Sequence, residues 1–225
     1  MDQMEIFKID EADNYFRRNE KHHNMLSNDV IVDLYSKYYG KAKIDILEIG
    51  CSDGWRLKIL RDDYDANVYG IEPSPEACKK AKETFNLEHI ICGTSDKFDF
   101  GKKFDLIMVP FVLHWIGRDQ LLESVSNIDK HLKDGGAIII NDFWQNGFKK
   151  VKYHHRTDVS IWTYKQDYSK IFLSLGTYRG IHFSIYDYSM GQNKSGIYSV
   201  PSERKNLAFV SMCVKDSDFN YEEIR

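Results

Sequence analysis

Between residues 44 and 142 short apolar runs alternate with amphipathic stretches, a pattern that few arrangements other than a parallel sheet with crossover helices can satisfy. The stretches 44–49, 67–71, 89–92, 104–109 and 137–141 are strand-like, and 55–61, 75–85 and 119–132 are helix-like. Strands this apolar are buried on both faces, so helices are expected above and below the sheet. Ahead of them Tyr15, Phe16, Met25, Leu26, Val30, Leu34 and Tyr38 recur at helical spacing up to Gly40, which predicts one or two N-terminal helices. After residue 143 the spacing predicts a helix over 164–175, strands over 181–188 and 207–214, and a loop over 189–206 rich in Gly, Ser and Asn. The expected fold is α/β, a doubly wound, mostly parallel seven-stranded sheet in one domain over 1–225. That domain divides into a helical segment (1–43), a core (44–142) and a closing part (143–225).

Composition narrows the function. Hydrophobic residues make up 42% and charged residues 29% of 225 residues, as in soluble globular domains, and the net charge of -3 supplies no field toward a phosphate backbone. No nucleic-acid partner is expected. The acidic N-terminus lacks the apolar core of a signal peptide, and the apolar run over 106–116 is too short for a bilayer and is broken by Pro110 and His114. A cytoplasmic location without a membrane partner follows as an expectation. Cys51, Cys78, Cys92 and Cys213 are scattered and form no CxxC pair, which predicts free thiols rather than a zinc site or a disulfide framework.

The first strand runs into Leu47-Glu48-Ile49-Gly50-Cys51-Ser52-Asp53-Gly54-Trp55, a glycine-bearing turn that opens a helix. Such a turn brings backbone N–H groups toward a ligand, and glycine permits close approach. The second strand ends in Tyr69-Gly70-Ile71-Glu72-Pro73-Ser74, where the Glu72 carboxylate can accept hydrogen bonds from both hydroxyls of a ribose. A nicotinamide-binding turn would need Gly-x-Gly-x-x-Gly, a spacing Gly50 and Gly54 do not have.

With this turn the chain resembles the class I S-adenosylmethionine-dependent methyltransferases, whose Rossmann-like domain carries an acidic residue before a Gly-x-Gly-x-Gly turn; Ser52 stands at the middle glycine. The resemblance continues through Gly93-Thr94-Ser95-Asp96, Lys103-Phe104-Asp105-Leu106-Ile107-Met108-Val109-Pro110-Phe111-Val112-Leu113-His114-Trp115 and Leu132-Lys133-Asp134-Gly135-Gly136. It implies S-adenosylmethionine as cofactor. It also implies that Gly50, Cys51, Ser52 and Gly54 lie along the methionine part, Glu48 near its amino group, and Glu72 and Pro73 at the ribose. Ser95 and Asp96 would then flank the adenine, with Val109 at the end of the fourth strand.

Methyl transfer is an in-line displacement, so positioning supplies much of the rate, and a hydroxyl acceptor gains further from a general base. His114, Asp142, His154 and His155 are the candidate bases, because the fourth and fifth strands end near the first two. Asp142 with the two adjacent histidines is too sparse a pattern for a metal, and none is expected. The basic cluster Lys149-Lys150-Val151-Lys152-Tyr153-His154-His155-Arg156 directly follows the sheet edge where acceptors bind in the family. Lys149, Lys152, Tyr153, Arg156 and Tyr164 are therefore the candidate acceptor contacts, suited to a small anionic molecule such as a phosphorylated sugar or sugar nucleotide. The stretch after 143 resembles methyltransferases of bacterial surface-polysaccharide gene clusters, which implies O-methylation of a capsule sugar or phosphoramidate-type substituent. A non-catalytic S-adenosylmethionine-binding protein and a NAD-dependent oxidoreductase are the alternatives.

Overall fold

A computed structural model describes residues 3–23, 29–156, 158–188 and 206–218. The chain opens with α1 (Gln3–Ile6), a π-helical turn (Phe7–Glu11) and α2 (Ala12–His23), followed by α3 (Val30–Tyr39). Asp29 caps α3, its Oδ1 accepting from the N–H groups of Ile31 and Val32 at 3.0 Å each. Then come β1 (Asp45–Ile49), α4 (Trp55–Tyr64), β2 (Asn67–Glu72), α5 (Pro75–Phe85), β3 (Ile90–Cys92), β4 (Phe104–Pro110), a short 3-10 turn (Leu113–Trp115), α6 (Leu121–His131) and β5 (Leu132–Phe143). The last part holds β6 (Lys149–Lys152), β7 (Trp162–Lys165), α7 (Ser169–Leu173), β8 (Tyr178–Asp187) and β9 (Leu207–Lys215).

Seven strands form one sheet in the order β3-β2-β1-β4-β5-β9-β8. The pairs from β3 to β5 are parallel, whereas β9 runs antiparallel to both β5 and β8. One apolar layer joins the sheet to α6 and α7 through Leu121, Val125, Ile128 and Phe172. The other joins it to α3, α4 and α5 through Ile31, Leu34, Leu57, Leu60 and Ala81. The expected doubly wound architecture is therefore present, and the strand order reverses between β1 and β4, the place where open α/β sheets bind ligands.

Two expectations are corrected. Residues 162–165 form a strand, so the helix expected over 164–175 does not begin at Tyr164. They pair antiparallel with β6 in a separate two-stranded sheet, Lys150 opposite Tyr164 and Lys152 opposite Trp162. Aromatic and β-branched residues favour that pleated pairing, the Lys150 ammonium lies 4.3 Å from the Trp162 ring, and the helix is confined to α7. Second, β5 begins at Leu132 rather than 137, because Leu132 pairs with Phe104 before a register shift and Gly135, at φ +75°, lies inside the strand. The expected loop over 189–206 lies outside the described residues except for Asn206. Among the described residues no helix is long and apolar enough to cross a membrane.

Candidate active site

The β1–α4 turn is built around two glycines and one strained serine. Gly50 has φ +72°, and a Cβ there would come within 2.5 Å of Val112 Cγ2; at Gly54, φ +75°, it would come within 2.2 Å of Leu87 Cδ1. Ser52, where the family pattern carries a glycine, adopts φ +53° all the same. Its N–H donates to Glu72 Oε2 at 2.9 Å, and the Ser74 N–H donates to Glu72 Oε1 at 2.9 Å. Two backbone donors thus hold the Glu72 carboxylate at the end of β2, with a lone pair on each oxygen still unused. Burial pushes its carboxyl up to about 7, against the pull of those two N–H groups.

Glu48 is buried at the end of β1 and pairs with the Arg56 guanidinium of α4. The other side of Arg56 forks onto Asp29, with Nε to Oδ1 and Nη2 to Oδ2 both at 2.9 Å. Burial pushes the Glu48 carboxyl up to about 7, opposed by Arg56. Glu48 Oε2 is buried and finds no hydrogen-bond partner, although Glu48 lines the cleft described next. An orphaned carboxylate oxygen beside a glycine cradle fits the amino end of an S-adenosylmethionine molecule.

That cleft has a volume of about 660 Å³ and opens at the carboxyl ends of β1, β2 and β4. Of the expected cofactor residues, Glu48, Gly50, Cys51, Ser52, Glu72, Pro73 and Ser95 line it. Gly54 packs beneath the turn on Leu87, and Val109 is fully buried in β4. Asp96 lies beside Ser95 with its Oδ1 buried and unpartnered.

The other end of the cleft is aromatic and is closed by the N-terminal helices. Phe7 stands 4.9 Å from Trp115 between ring centroids, and Tyr15 meets Trp115 edge-on at 5.9 Å. Phe111, at φ +52° just past β4, and Tyr188 complete that wall. Burial, followed by the charge of Glu72, pushes the Tyr15 phenol up to about 12, so it remains protonated. Gln3 ties the helix down: its Nε2 donates to the carbonyls of Trp115 (2.5 Å) and Trp162 (2.7 Å), and its Oε1 accepts from the Trp162 N–H (2.9 Å). Arg56, Asp29, Gln3 and Phe7 were not singled out from sequence; Tyr15 was read there only as a helix position and Trp115 only as the end of the fourth-strand motif. For Asp29 the N-cap position before an apolar run was the available signal.

The candidate bases separate into two groups. His114 and Asp142 meet, with Nδ1 2.8 Å from Oδ1 but off the line of a hydrogen bond. Asp142 also accepts the backbone N–H groups of His114 (3.2 Å) and Phe143 (2.7 Å). The pair is buried behind Phe111 and Trp115 and does not line the cleft. His154 and His155 are exposed at the β6–β7 turn, ring centroids 3.9 Å apart and tilted by 41°, and do not line it.

The expected acceptor contacts also fall outside the cleft. Lys149 and Lys152 project from the exposed strand β6. Arg156 is spent on Asp158 (2.8 Å) and Asp10 (2.6 Å), and Tyr164 lies under the Arg118 guanidinium at 4.2 Å. Tyr153 is buried, its phenol donating to Glu11. Among the described residues no three His, Cys, Asp or Glu side chains gather as a metal site.

Residues 47–140, the stretch from β1 to β5, match the family model described as a methyltransferase domain. The chain is 26% identical over 120 residues to the malonyl-[acyl-carrier protein] O-methyltransferase of Acetivibrio thermocellus, covering 52% of this chain and 42% of that one. It thus spans less than half the length of that relative. It is also 26% identical over 163 residues to the tRNA N(3)-methylcytidine methyltransferase of Schizosaccharomyces pombe, covering 66% and 65%. Among solved structures, Burkholderia thailandensis 1,6-didemethyltoxoflavin-N1-methyltransferase, with bound 1,6-didemethyltoxoflavin and S-adenosylhomocysteine, superposes with a TM-score of 0.63. Its identity is 12%, covering 91% of this chain and 87% of that one, and it shares the fold. Residues 47–140 thus carry a match to a methyltransferase domain, within a sheet whose order β3-β2-β1-β4-β5-β9-β8 frames the cleft.

Proposed function

We propose that the chain transfers the methyl group of S-adenosylmethionine to a small acceptor with a flat or apolar body. The observation that carries this is one cleft with two chemically distinct ends: Glu48, Gly50, Ser52 and Glu72 at one, and Phe7, Tyr15, Phe111, Trp115 and Tyr188 at the other. The cofactor, when bound, supplies an electrophilic methyl group on a sulfonium. Glu72 is suited to accept the ribose hydroxyls, Glu48 Oε2 to accept from the ammonium, and Ser95 with Asp96 to flank the adenine. The aromatic wall orients the acceptor and excludes water, so that proximity contributes up to roughly 7–11 kcal/mol of barrier reduction.

His114 and Asp142, which lie behind Phe111 and Trp115 and outside the lining of the cleft, would fix the floor on which the acceptor rests. O-methylation of an anionic sugar, sugar nucleotide or capsule precursor gains no support from the cleft, because the lysines and Arg156 that would recognise it lie outside. A flat acceptor gains support from the rings, which offer faces rather than charges.

The test is calorimetric titration with S-adenosylmethionine, S-adenosylhomocysteine and NAD, then screening of flat heterocycles, acyl carrier thioesters and phosphorylated sugars for S-adenosylhomocysteine release. Binding of the two sulfur nucleotides but not NAD is expected, with turnover on the first group. NAD binding alone overturns the assignment, and turnover only on phosphorylated sugars overturns the acceptor.

A further inference from the structure

Two stripes along α2 face different parts of the molecule. Tyr15, Phe16 and Asn19 line the cleft. Asp13, Arg17 and Glu20, spaced about one turn apart, meet α5 instead, at Ser74, Glu76 and Lys80. The three contacts are unequal. Arg17 with Glu76, and Glu20 with Lys80 at 3.7 Å, are pairs of well-exposed side chains that solvent screens, so they hold little. Asp13 is more firmly engaged: its Oδ1 accepts from the Ser74 hydroxyl at 2.5 Å and from the Glu76 N–H at 3.2 Å.

Those two bonds complete the first turn of α5, where backbone N–H groups lack partners within the helix. Pro75 has no N–H, the Glu76 N–H goes to Asp13, and the Ala77 N–H goes to Ser74 Oγ at 3.1 Å. From 61 positions earlier in the chain, Asp13 thus adds to α5 what a capping side chain ordinarily supplies from within one segment, and its charge suits the positive end of that helix. Ser74 is also the residue whose N–H holds Glu72 Oε1 at 2.9 Å. One residue therefore stands between the Glu72 carboxylate and Asp13, and the helical turn that carries Asp13 also presents Tyr15 and Phe16 to the cleft.

We propose that Asp13 is a positioning residue that couples the two ends of the cleft: when the Glu72 end is filled, the Asp13–Ser74 bond fastens α2 and sets Tyr15 and Phe16 for the acceptor. A ribose held by Glu72 fixes the carboxylate, and with it the Ser74 N–H that the carboxylate accepts. The Ser74 hydroxyl, on the same residue, is then fixed as the point to which Asp13 binds. With that end empty the turn is freer, and α2 opens more often. Asp13 itself does not line the cleft, so it acts through Ser74 and not by touching cofactor or acceptor. The proposal rests on the methyl-transfer reading, which supplies the ligand at Glu72.

The test is amide hydrogen exchange in α2 of the full chain, with and without saturating S-adenosylhomocysteine, alongside calorimetry for affinity. In the wild type the nucleotide should slow exchange in α2 at least about tenfold. Asp13→Ala should still bind it, no more than about tenfold more weakly, yet at saturation exchange in α2 should slow less than about twofold. Asp13→Asn, whose amide oxygen can accept the same two bonds, should keep the protection. Ser74→Ala, which retains the N–H on Glu72 and removes the hydroxyl, should lose it, and it carries the comparison if Asp13→Ala does not fold. A merely structural Asp13 would speed exchange in both states and leave their ratio as in the wild type. That result, or protection that survives in Ser74→Ala, overturns the proposal, as does a wild type that binds the nucleotide with no change in α2. A wild type that binds no S-adenosylhomocysteine overturns the cofactor reading, and the proposal falls with it.

Discussion

The phenol of Tyr153 donates a 2.7 Å hydrogen bond to Glu11 Oε1, fastening the β6–β7 turn to the π-helical turn of the N-terminal segment. Arg18 completes the triangle, donating to Tyr153 at 2.7 Å and pairing with Glu11. Glu11 is fully buried, and its Oε2 has no partner. Tyr153→Phe keeps the ring, which packs at 4.4 Å on Trp115, and removes one of the few donors to that carboxylate. A loss of about 1–3 kcal/mol is expected, read as a lower denaturation midpoint and faster proteolysis of the N-terminal helices. An unchanged midpoint and digestion rate would show that the triangle does not fasten the segment.

Arg56 is 7% exposed and holds Asp29 and Glu48 on either side. Arg56→Leu leaves two buried carboxylates without their cation, and a loss of about 3–5 kcal/mol is expected. Chemical denaturation measures it. Adding Glu48→Gln to this variant should recover part of the loss, and failure to do so would mean that the pair with Glu48 contributes little.

The pH dependence of binding tests Glu72. Its carboxyl sits at about 7 in the fold against an ordinary 4.5. Between those values the native state holds the proton more tightly than the unfolded chain, so this group's contribution to folding stability falls as pH rises through that window. Binding has the opposite sign, because ribose hydroxyls donate to the ionised form. S-adenosylhomocysteine affinity should therefore rise as pH passes through about 7, with Glu48 adding in the same direction. Glu72→Gln should bind weakly and lose most of that rise; a wild-type profile flat across the range would refute the ribose assignment.

Gly50→Ala meets two obstacles, a left-handed backbone and a Cβ position 2.5 Å from Val112. The first costs about 1–2 kcal/mol. Cofactor affinity should fall, and Val112→Ala in the same chain should restore only the part due to the clash, as measured by calorimetry. Full restoration would mean that the backbone conformation carries no cost.

The legible parts of the fold are those whose causes are local. Helix α5 spans the expected residues because its stop and start signals adjoin it: Ser74 caps it through the Ala77 N–H, Pro75 opens it and left-handed Asn86 ends it. The glycine turn and Glu72 were readable for the same reason. Arg56 on Asp29 was not, since the partners are 27 positions apart and only the packing of α3 on α4 joins them. Charge misled at Lys149 and Arg156, because a run of basic residues states how much charge a strand carries but not which way it faces. The 162–165 segment misled for a related reason, its partner strand being too far along the chain for periodicity to register.

The two ends of the cleft draw on the chain very differently. The groups at the glycine-turn end come from one stretch, Glu48 through Ser95, inside the region that matches the methyltransferase domain model. The rings at the other end come from scattered places: Phe7 and Tyr15 near the start, Phe111 and Trp115 past β4, and Tyr188 after β8, with Gln3 lacing the first group to the second. The two ends are therefore set by different stretches of chain, so substitutions near residues 7, 15 and 188 can reshape the aromatic wall while the β1–α4 turn stays as it is.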